Sequence, residues 1–304
     1  MNILVSGSTG LIGNAICSLL RNKKHRVLRL VRRQPSGADE IRWDPSSGQL
    51  NTTDLEGVEA VVHLAGENIS DGRWTADKKR RIRESRIKGT HLLAQSLAYL
   101  FDPPKVMVSI SAVGYYGNRG DEMLDEQSSP GSGFLPEVCH EWESATVPAS
   151  MRGIRVVIPR VGMVLSAAGG ALAKMLPAYR MGLGGRIGNG RQYMSWIAID
   201  DLVRAIYHAI TQTKLHGPIN AVSPNPVSNR VFSDTLGRVL SRPAVMVLPA
   251  FAARLVMGQM ADEALLASAK VMPSRLQKSG YEFSYPELEG ALRHILNKPE
   301  SGGE

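Results

Sequence analysis

Three glycines near the start of the chain have the spacing of a phosphate-binding turn. They are Gly7, Gly10 and Gly13, in the pattern G-x-x-G-x-x-G. A short apolar run at 3–5 precedes them, which indicates a buried strand, and an apolar pattern of helical period follows. In such a unit one glycine makes the turn, one lets a pyrophosphate approach the backbone, and one lets helix and strand pack closely. Because the helix N-terminus adds open N–H groups, the sequence predicts a dinucleotide site here.

A pair of arginines follows the second predicted strand, at 26–31. The strand ends at Val31 and continues into Arg32 and Arg33. About 20 residues past the glycines, an acidic residue would bind the ribose 2′-hydroxyl of NAD, whereas an arginine favours the 2′-phosphate of NADP. No acid ends this strand, so the sequence favours NADP(H), with Arg32 as the phosphate partner through its planar fork. The alternative is that both arginines belong only to a solvated turn.

Other residues with possible chemistry lie at the ends of later strands. Small residues, beginning with Ala65 and Gly66, follow a strand at 58–64 and would let the backbone pass close to a cofactor. His63, inside that strand, is expected to be a satisfied core histidine. Asp44, after a strand at 40–43, either touches the adenine or caps its own turn. Ser111 ends the strand at 106–111.

Strands and helices alternate along the chain, which predicts an α/β fold with a doubly wound parallel sheet. Further strands are expected at 154–158, 193–199, 218–222 and 245–248, and helices at 77–100, 135–145, 202–210 and 288–296. A glycine-dense stretch at 182–190 is interpreted as a loop or lid on the substrate side. Asp200 and Asp201 are interpreted as helix-capping residues.

The composition sets limits on the class of protein. The chain has 304 residues, is 43% hydrophobic and carries a net charge of +8. No apolar run approaches the ~20 residues of a membrane span, and Met1 leads directly into the first strand, so neither a membrane anchor nor a leader is expected. Cys17 and Cys139 lack metal-type spacing, which favours a reducing, cytoplasmic location without structural metal. Only charge supports nucleic-acid binding, so phosphorylated cofactors or anionic substrates are preferred, and the basic stretch at 78–88 is interpreted as a solvated face.

Taken together, these motifs resemble the short-chain dehydrogenase/reductase superfamily, extended type. The matching pieces run in family order from residue 1 to about 222: Gly7-x-x-Gly10-x-x-Gly13, His63-Leu64-Ala65-Gly66, Ser111 with Tyr115-Tyr116-Gly117, Arg160 with Gly162, and Trp196-Ile197-x-Ile199-Asp200-Asp201. Within the superfamily the chain resembles the atypical, epimerase-like subgroup, some members of which carry a cell-division-inhibitor label. That match depends on Ala65-Gly66-Glu67-Asn68-Ile69, the glycines of 182–190, and a C-terminal segment from Lys270 to Phe283.

The resemblance implies a Rossmann domain, 1–165 plus 194–223, and a smaller substrate-side lobe, 166–193 plus 224–298, with a disordered tail at 299–304. Together with the motifs it assigns to the cofactor Gly7, Thr9, Gly10, Leu11, Ile12, Gly13, Val31, Arg32, Leu64, Ala65, Gly66, Glu67, Arg86, Ser109, Arg160 and Val164.

The catalytic residues depart from the superfamily pattern. Active members use a serine, a tyrosine that transfers a proton, and a lysine that lowers the pKa of that tyrosine. Here Ser111 stands at the serine position, but Leu135 replaces the tyrosine and Cys139 the lysine. Arg86, at an asparagine position, would restore the missing positive charge. The subgroup is similar in these substitutions, so they indicate a rearranged relay.

The proton donor in such a relay remains open between Tyr115, Tyr116 and Cys139, with Ser111 orienting the substrate carbonyl. The competing interpretations are that Tyr116 is a packed or cofactor-stacking aromatic residue and that Cys139 is an inert buried thiol.

Two functions follow from the sequence. The first is an NADP-dependent oxidoreductase or epimerase acting on a small carbonyl or nucleotide-sugar-like substrate. The second is a non-catalytic NADP(H)-binding module that senses redox state or binds a partner. A monomer or a homodimer is expected, without nucleic-acid or membrane partners.

Overall fold

The computed structural model describes residues 1–299, so the expected tail falls outside it except for Pro299. The strands are β1 Asn2–Ser6, β2 Arg26–Val31, β3 Glu40–Asp44, β4 Gln49–Leu50, β5 Ala60–His63, β6 Val106–Ser109, β7 Ser111–Ala112, β8 Met123–Leu124, β9 Arg155–Val161, β10 Met163–Leu165, β11 Gly185–Ile187, β12 Tyr193–Met194, β13 Trp196–Ala198, β14 Gly217–Ala221, β15 Val227–Ser228, β16 Met246–Leu248 and β17 Lys270–Val271. The helices are α1 Leu11–Asn22, α2 Ala76–Ala98, α3 Phe134–Ser144, α4 Val147–Met151, α5 Gly170–Arg180, α6 Ile199–Thr211, α7 Asn229–Leu240, α8 Ala250–Met257, α9 Ser274–Lys278 and α10 Leu288–Ile295.

A sheet in the order β14-β9-β6-β5-β1-β2-β3-β4 forms the centre of the described fold. Strand β1 lies between β2 and β5, with Ile3 opposite both Val27 and Ala60 in parallel register. The pairing is parallel throughout this path except between β3 and the short β4. The chain order reverses on the two sides of β1, which places a topological switch point, and hence a ligand crevice, at the carboxyl ends of β1 and β5. The predicted α/β fold with a doubly wound parallel sheet is confirmed.

Apolar side chains cover both faces of this sheet. On one face, β1 residues such as Ile3 and Val5 join Ile16 and Leu20 of α1 and Leu202 of α6 in a single core. On the other face, Leu4 and Met107 pack with residues of α2 such as Leu93 and Leu97. Because burial on both faces requires near-continuous apolar strands, the runs at 3–5 and 58–64 gave a correct prediction of inner strands.

A second apolar core lies beside the sheet. It contains Trp196 of β13, Leu176 of α5, Phe232 of α7 and Leu292 of α10. These elements come from both parts of the expected substrate-side lobe and from β13. The boundaries between the two lobes remain a prediction.

Two local expectations need correction. Asp201 does not cap its own helix: its carboxylate accepts hydrogen bonds from the backbone N–H groups of Ser284 and Tyr285. It is fully buried and therefore anchors the C-terminal segment to α6. The stretch at 182–190 is not simply a loop, because it contains β11, which pairs in parallel with β16. In the part of the chain described, no helix has the length and apolarity needed to cross a bilayer.

Candidate functional site

The glycine turn at the carboxyl end of β1 has geometry that only glycine allows at two positions. Gly7 has a φ of +65°, and a Cβ on it would lie 2.8 Å from the carbonyl carbon of Leu64. A Cβ on Gly13 would lie 2.1 Å from the Gly7 carbonyl oxygen. The turn therefore packs directly against α1 and against the end of β5, as a dinucleotide turn requires.

Helix α1 presents an open N-terminus to this turn. Gly10 is its N-cap, no side chain accepts a hydrogen bond from its first N–H groups, and no acidic residue occupies its first turn. The first N–H groups of a helix have no partner within the helix and carry the positive end of its dipole. This end of α1 therefore suits an anion such as a pyrophosphate.

A cleft of about 880 Å³ extends from the turn across the carboxyl ends of β2 and β5. Nine of the predicted cofactor residues line it: Gly7, Thr9, Gly10, Val31, Arg32, Leu64, Ala65, Gly66 and Glu67. Trp43, Asp44 and Lys88 contribute to its far wall. A cleft of this volume falls in the range that ligand sites occupy. The residues present therefore fit a dinucleotide on steric and electrostatic grounds.

Arg32 and Arg33, at the end of β2, have different charge partners. Arg33 donates twice to Glu40, at 2.7 Å each, and Arg29 donates to the same carboxylate at 2.8 Å. Hydrogen bonds from Arg33 and Ser36 lower the pKa of Glu40 to about 2. Arg32 is exposed in the cleft and makes no hydrogen bond or ion pair within residues 1–299. The acid nearest this strand end is thus neutralised, and Arg32 is the guanidinium that remains available.

Two further sequence interpretations are resolved at this cleft. The carboxylate of Asp44 accepts hydrogen bonds from the N–H and hydroxyl of Ser46, so it closes its own turn while lining the cleft. His63 is fully buried between the hydroxyls of Ser6 and Thr90, at 2.7 and 2.9 Å. Burial lowers the pKa of His63 to about 4. The interpretation of His63 as a satisfied core histidine is correct.

Arg86 contacts the 66–67 stretch, which lines the cleft after β5. Its guanidinium donates to the backbone carbonyls of Glu67 and Ile82, at 3.0 and 3.1 Å, and lies over the ring of Trp142. A Cβ on Gly66 would contact this guanidinium at 3.4 Å. The Glu67 side chain is held separately by Lys78, at 2.8 Å. Arg80, Arg81 and Lys88 of α2 are exposed, as the solvated-face interpretation expects, but Lys78 is buried, contrary to that interpretation. Arg86 carries fixed positive charge beside the strand end.

The face of α3 nearest the end of β6 carries Leu135, Cys139 and Glu143, each one helical turn from the next. Leu135 and Cys139 both lie within 4 Å of a Cβ built on Gly114. Residues four apart share a helix face, so Glu143 belongs to the same row as the two positions at which the superfamily places tyrosine and lysine. Glu143 is not among the site residues predicted from the sequence. Its i+4 spacing from Cys139 was the available indication.

Glu143 is the centre of a nearly buried polar network. The Ser111 hydroxyl donates to Glu143 Oε1 at 2.8 Å, and Arg160 makes a bidentate pair with both carboxylate oxygens at 2.9 and 2.8 Å. Ser111 and Arg160 are each only 3% exposed. The Ser111 hydroxyl donates its proton to Glu143, so its oxygen can only accept a hydrogen bond from another group. A substrate carbonyl also accepts and would need a donor. Ser111 can therefore accept a proton from an alcohol in this arrangement, and its expected polarisation of a carbonyl stays a prediction.

Tyr116 and Arg160 both direct their polar groups into the protein, which favours the packed interpretation of Tyr116 and corrects the expected cofactor contact of Arg160. Tyr116 is fully buried, and its hydroxyl contacts Asn220 Oδ1, the Asp125 carbonyl and Arg160 at 2.7–3.0 Å. Burial raises the pKa of Tyr116 to about 12. We therefore assign it to packing instead of proton transfer. Arg160 lies over the Tyr115 ring and holds Glu143, so its donors are directed at the protein and not at a cofactor.

Cys139 is similarly placed as a core residue. It is 3% exposed and packs in an apolar cluster with Tyr115, Tyr116 and Leu124. Burial raises the pKa of its thiol to about 12, with the negative charge of Glu143 as a second cause. A thiol in this state is neither a nucleophile nor an effective base at neutral pH. The inert interpretation of Cys139 fits the structure, and the acid/base one does not.

Four further predicted cofactor residues do not line the cleft. Leu11 and Ile12 belong to the first turn of α1, and Ile12 packs on the sheet core. Ser109 is 1% exposed and lies opposite His63 in the β5–β6 register. Val164 pairs with Ile197 between β10 and β13. Cofactor contact at these positions remains a prediction.

A second, smaller cleft of about 480 Å³ lies between the 188–193 stretch and residues 250–268. It is lined by polar residues that include Asp121, Arg191, Gln192 and Arg254. The Arg254 guanidinium is paired with Asp262 at 2.8 Å.

The sequence is similar to known protein families and to individual proteins of the same kind. The model of the "NAD dependent epimerase/dehydratase family" matches residues 3–221, and that of a "domain of unknown function" matches residues 248–295. An epimerase family protein of Mycobacterium tuberculosis is 44% identical over 297 residues, which covers 98% of each chain.

Solved structures are also similar. The human epimerase family protein SDR39U1, crystallised with NADPH, superposes with a TM-score of 0.90 at 36% identity, over 98% of this chain and 99% of that one. A nucleoside-diphosphate sugar epimerase of Corynebacterium glutamicum superposes with a TM-score of 0.80 at 38% identity, over 97% of this chain and 58% of that one.

Proposed function

This chain belongs to the NAD dependent epimerase/dehydratase family, and we propose that it is an NADP(H)-dependent oxidoreductase with a Ser111–Glu143 proton relay. The substrate class is a small secondary alcohol and its carbonyl. The observation that carries the proposal is the contact between the Ser111 hydroxyl and Glu143, on the helix row where the superfamily places its tyrosine and lysine.

The cofactor assignment depends on the cleft. Gly7, Gly10 and the open end of α1 suit the pyrophosphate, and Arg32 is the free guanidinium for a 2′-phosphate. The similar human protein was crystallised with NADPH, which supports the same choice here. Arg86, beside Gly66, supplies fixed positive charge where the superfamily lysine is missing.

The proton relay follows from the direction of the hydrogen bonds. A substrate hydroxyl that donates to the Ser111 oxygen passes its proton there as the Ser111 proton moves to Glu143. The alcohol carbon loses a hydride in the same reaction, so an alcohol becomes a carbonyl and the charges balance. The chemistry that a bound NADP(H) would supply is acceptance of this hydride, or its donation in the reverse direction.

Arg160 and the apolar residue Leu135 complete this arrangement. Arg160 fixes the Glu143 carboxylate in a bidentate pair, which keeps one oxygen directed at Ser111. Leu135 replaces the hydroxyl that would otherwise bind the same substrate oxygen, so Ser111 is the polar contact left on this side. The relay therefore needs neither the buried Tyr116 nor Cys139.

The test is turnover of secondary alcohols and nucleotide sugars with NADP⁺, followed by NADPH absorbance, in wild type, Ser111→Ala and Glu143→Gln. We expect each variant to lose at least ~100-fold in kcat while its NADPH Kd changes less than about 3-fold, because neither side chain lines the cleft. Glu137→Gln, on an exposed face of the same helix, is the matched control and should keep wild-type turnover.

Ser111→Ala retains the Glu143–Arg160 pair, so it separates loss of the relay from loss of folding. Its thermal unfolding should stay within a few degrees of wild type. Turnover at the wild-type rate in Ser111→Ala would exclude the relay. An NADPH-binding protein that converts no member of the panel would instead favour the non-catalytic function.

A further inference from the structure

More than half of the large apolar side chains that are exposed in the described chain come from residues 181–183 and 245–256. Nine large apolar side chains, each 41–79% exposed, come from two adjacent stretches: Met181, Leu183, Val245, Met246, Val247, Leu248, Phe251, Leu255 and Val256. They are nine of sixteen such residues in the described chain. We call this surface the apolar edge. Contiguous patches of this kind on a soluble domain mark interaction sites.

Strand β16 forms the middle of the apolar edge and has one unpaired side. The Met246 N–H donates to the Gly184 carbonyl, and the Leu248 carbonyl accepts from Gly188, both toward β11. In a parallel ladder alternate residues point the same way, so the N–H and carbonyl groups of Val245 and Val247 face outward. No strand in the described residues pairs with that side.

Charged side chains, which often protect such an edge, are missing here. Residues 243–253 contain no charged or amide side chain. Exposed strand edges are usually protected by charges, by a covering element, or by prolines and a short strand, and only the last two are present among the described residues. Pro243 and Pro249 flank the strand and limit it to Val245–Leu248. The edge is therefore short and defined, and it is open to one further strand.

We propose that the apolar edge is a dimer interface, in which β16 pairs antiparallel with β16 of a second copy of this chain. A two-fold axis through Met246 lets Val245 of one copy exchange both backbone hydrogen bonds with Val247 of the other. A membrane surface offers no partner in register for these outward backbone groups, whereas an identical strand pairs with all of them.

The area of the apolar edge agrees with a dimer. Complete burial of one such side chain removes on the order of 100 Å² of apolar surface from water. Because each of the nine is only partly exposed, together they offer roughly 500 Å² of apolar surface per copy. A standard specific interface buries about 800 Å² per partner, of which about 65% is apolar in homodimers, or again about 500 Å². Phe251 and Leu255, one turn apart on α8, extend the contact beyond the strand.

The first test is the mass of the full chain in solution by light scattering after gel filtration. We expect a species of twice the 33.0 kDa chain mass at micromolar concentration. Val247→Lys should raise the dimer dissociation constant at least ~10-fold, because it places a charge on the edge. Met151→Lys, at a site that is 84% exposed outside the apolar edge, should leave the dimer intact.

The second test is a symmetric crosslink. In a non-hydrogen-bonded antiparallel pair the two Cα atoms are ~4.5 Å apart, which suits a disulfide. Met246→Cys should therefore form a covalent dimer with oxidised glutathione, and Met151→Cys should not. Cys17 and Cys139 are buried and do not compete.

Either of two results would overturn the interface. One is a wild-type chain that stays monomeric at high micromolar concentration. The other is a dimer that resists Val247→Lys and gives no Met246→Cys crosslink. Co-sedimentation of monomeric wild type with anionic phosphatidylserine vesicles, lost in Val247→Lys, would assign the surface to lipid instead.

Discussion

The cofactor cleft and the Ser111–Glu143–Arg160 network lie at the same edge of the sheet but are built in different ways. The cleft is about 880 Å³ of open space, and much of its phosphate end is backbone: glycines and the first turn of α1. The network is nearly buried, and its side chains bond mainly to one another. Backbone sites are specified by short local spacing, whereas side-chain networks require partners that are far apart in the chain.

This difference has a consequence for how substitutions act. In the cleft, a change of one glycine alters the path of the backbone and so the site itself. In the network, a change of one side chain leaves a partner buried without its hydrogen bond, which first costs stability. The two regions should therefore separate in experiments that measure NADPH affinity and unfolding on the same variants.

The largest effect is expected for Gly13→Ala. Its Cβ would lie 2.1 Å from the Gly7 carbonyl oxygen and 2.7 Å from Ser8 Cα, so the turn must move away from α1. We expect NADPH affinity, measured by calorimetric titration, to fall more than ~100-fold, since several phosphate contacts depend on this geometry. Gly37→Ala, with nothing within 4 Å of its Cβ, is the control. Unchanged affinity in Gly13→Ala would remove the turn from the binding site.

An intermediate effect is expected for Arg32→Ala. The loss of a charge-assisted hydrogen bond pair of about 1.5–3 kcal/mol should weaken NADPH about 10–100-fold and leave NADH within about 2-fold. Arg26→Ala removes the same charge from the other end of β2, where the arginine pairs with Asp39, and should affect neither cofactor. Equal weakening of NADPH and NADH by Arg32→Ala would contradict a 2′-phosphate contact.

The same contrast explains what could be predicted from the sequence. Three predictions depend on residues that lie within about 30 positions of one another in the chain. They are the inner strands, the glycine turn, and the preference for NADP(H) from Arg32 in place of an acidic residue. The chain-wide order of motifs then gave a correct prediction of the fold. These are short-range patterns whose physical cause is local backbone geometry and two-sided burial.

The proton-handling side could not be predicted in this way. Tyr116 was a candidate acid because its type and position suggest chemistry. Its hydroxyl, however, contacts Asn220, 104 residues away, and that contact decides its role. Glu143 was overlooked because a lone glutamate on a helix carries no motif until Arg160 and Ser111 are placed beside it. Asp201 was interpreted as a cap for the same reason, since its partners lie more than 80 residues further along the chain.

The smallest effect on function is expected for Tyr116→Phe. This change removes the hydroxyl that contacts Asn220, Arg160 and the Asp125 carbonyl, and leaves buried polar groups without their partner. The free energy of unfolding, measured in urea, should fall by about 1–3 kcal/mol. NADPH affinity and kcat should stay within about 2-fold of wild type, and the pH profile of kcat should not shift, because the hydroxyl does not transfer a proton. Tyr115→Phe makes the same chemical change in the neighbouring ring, whose hydroxyl makes no hydrogen bond within residues 1–299, and should cost less than about 0.5 kcal/mol. A Tyr116→Phe variant with normal stability and a shifted pH profile would return Tyr116 to the proton relay and displace Glu143 from it.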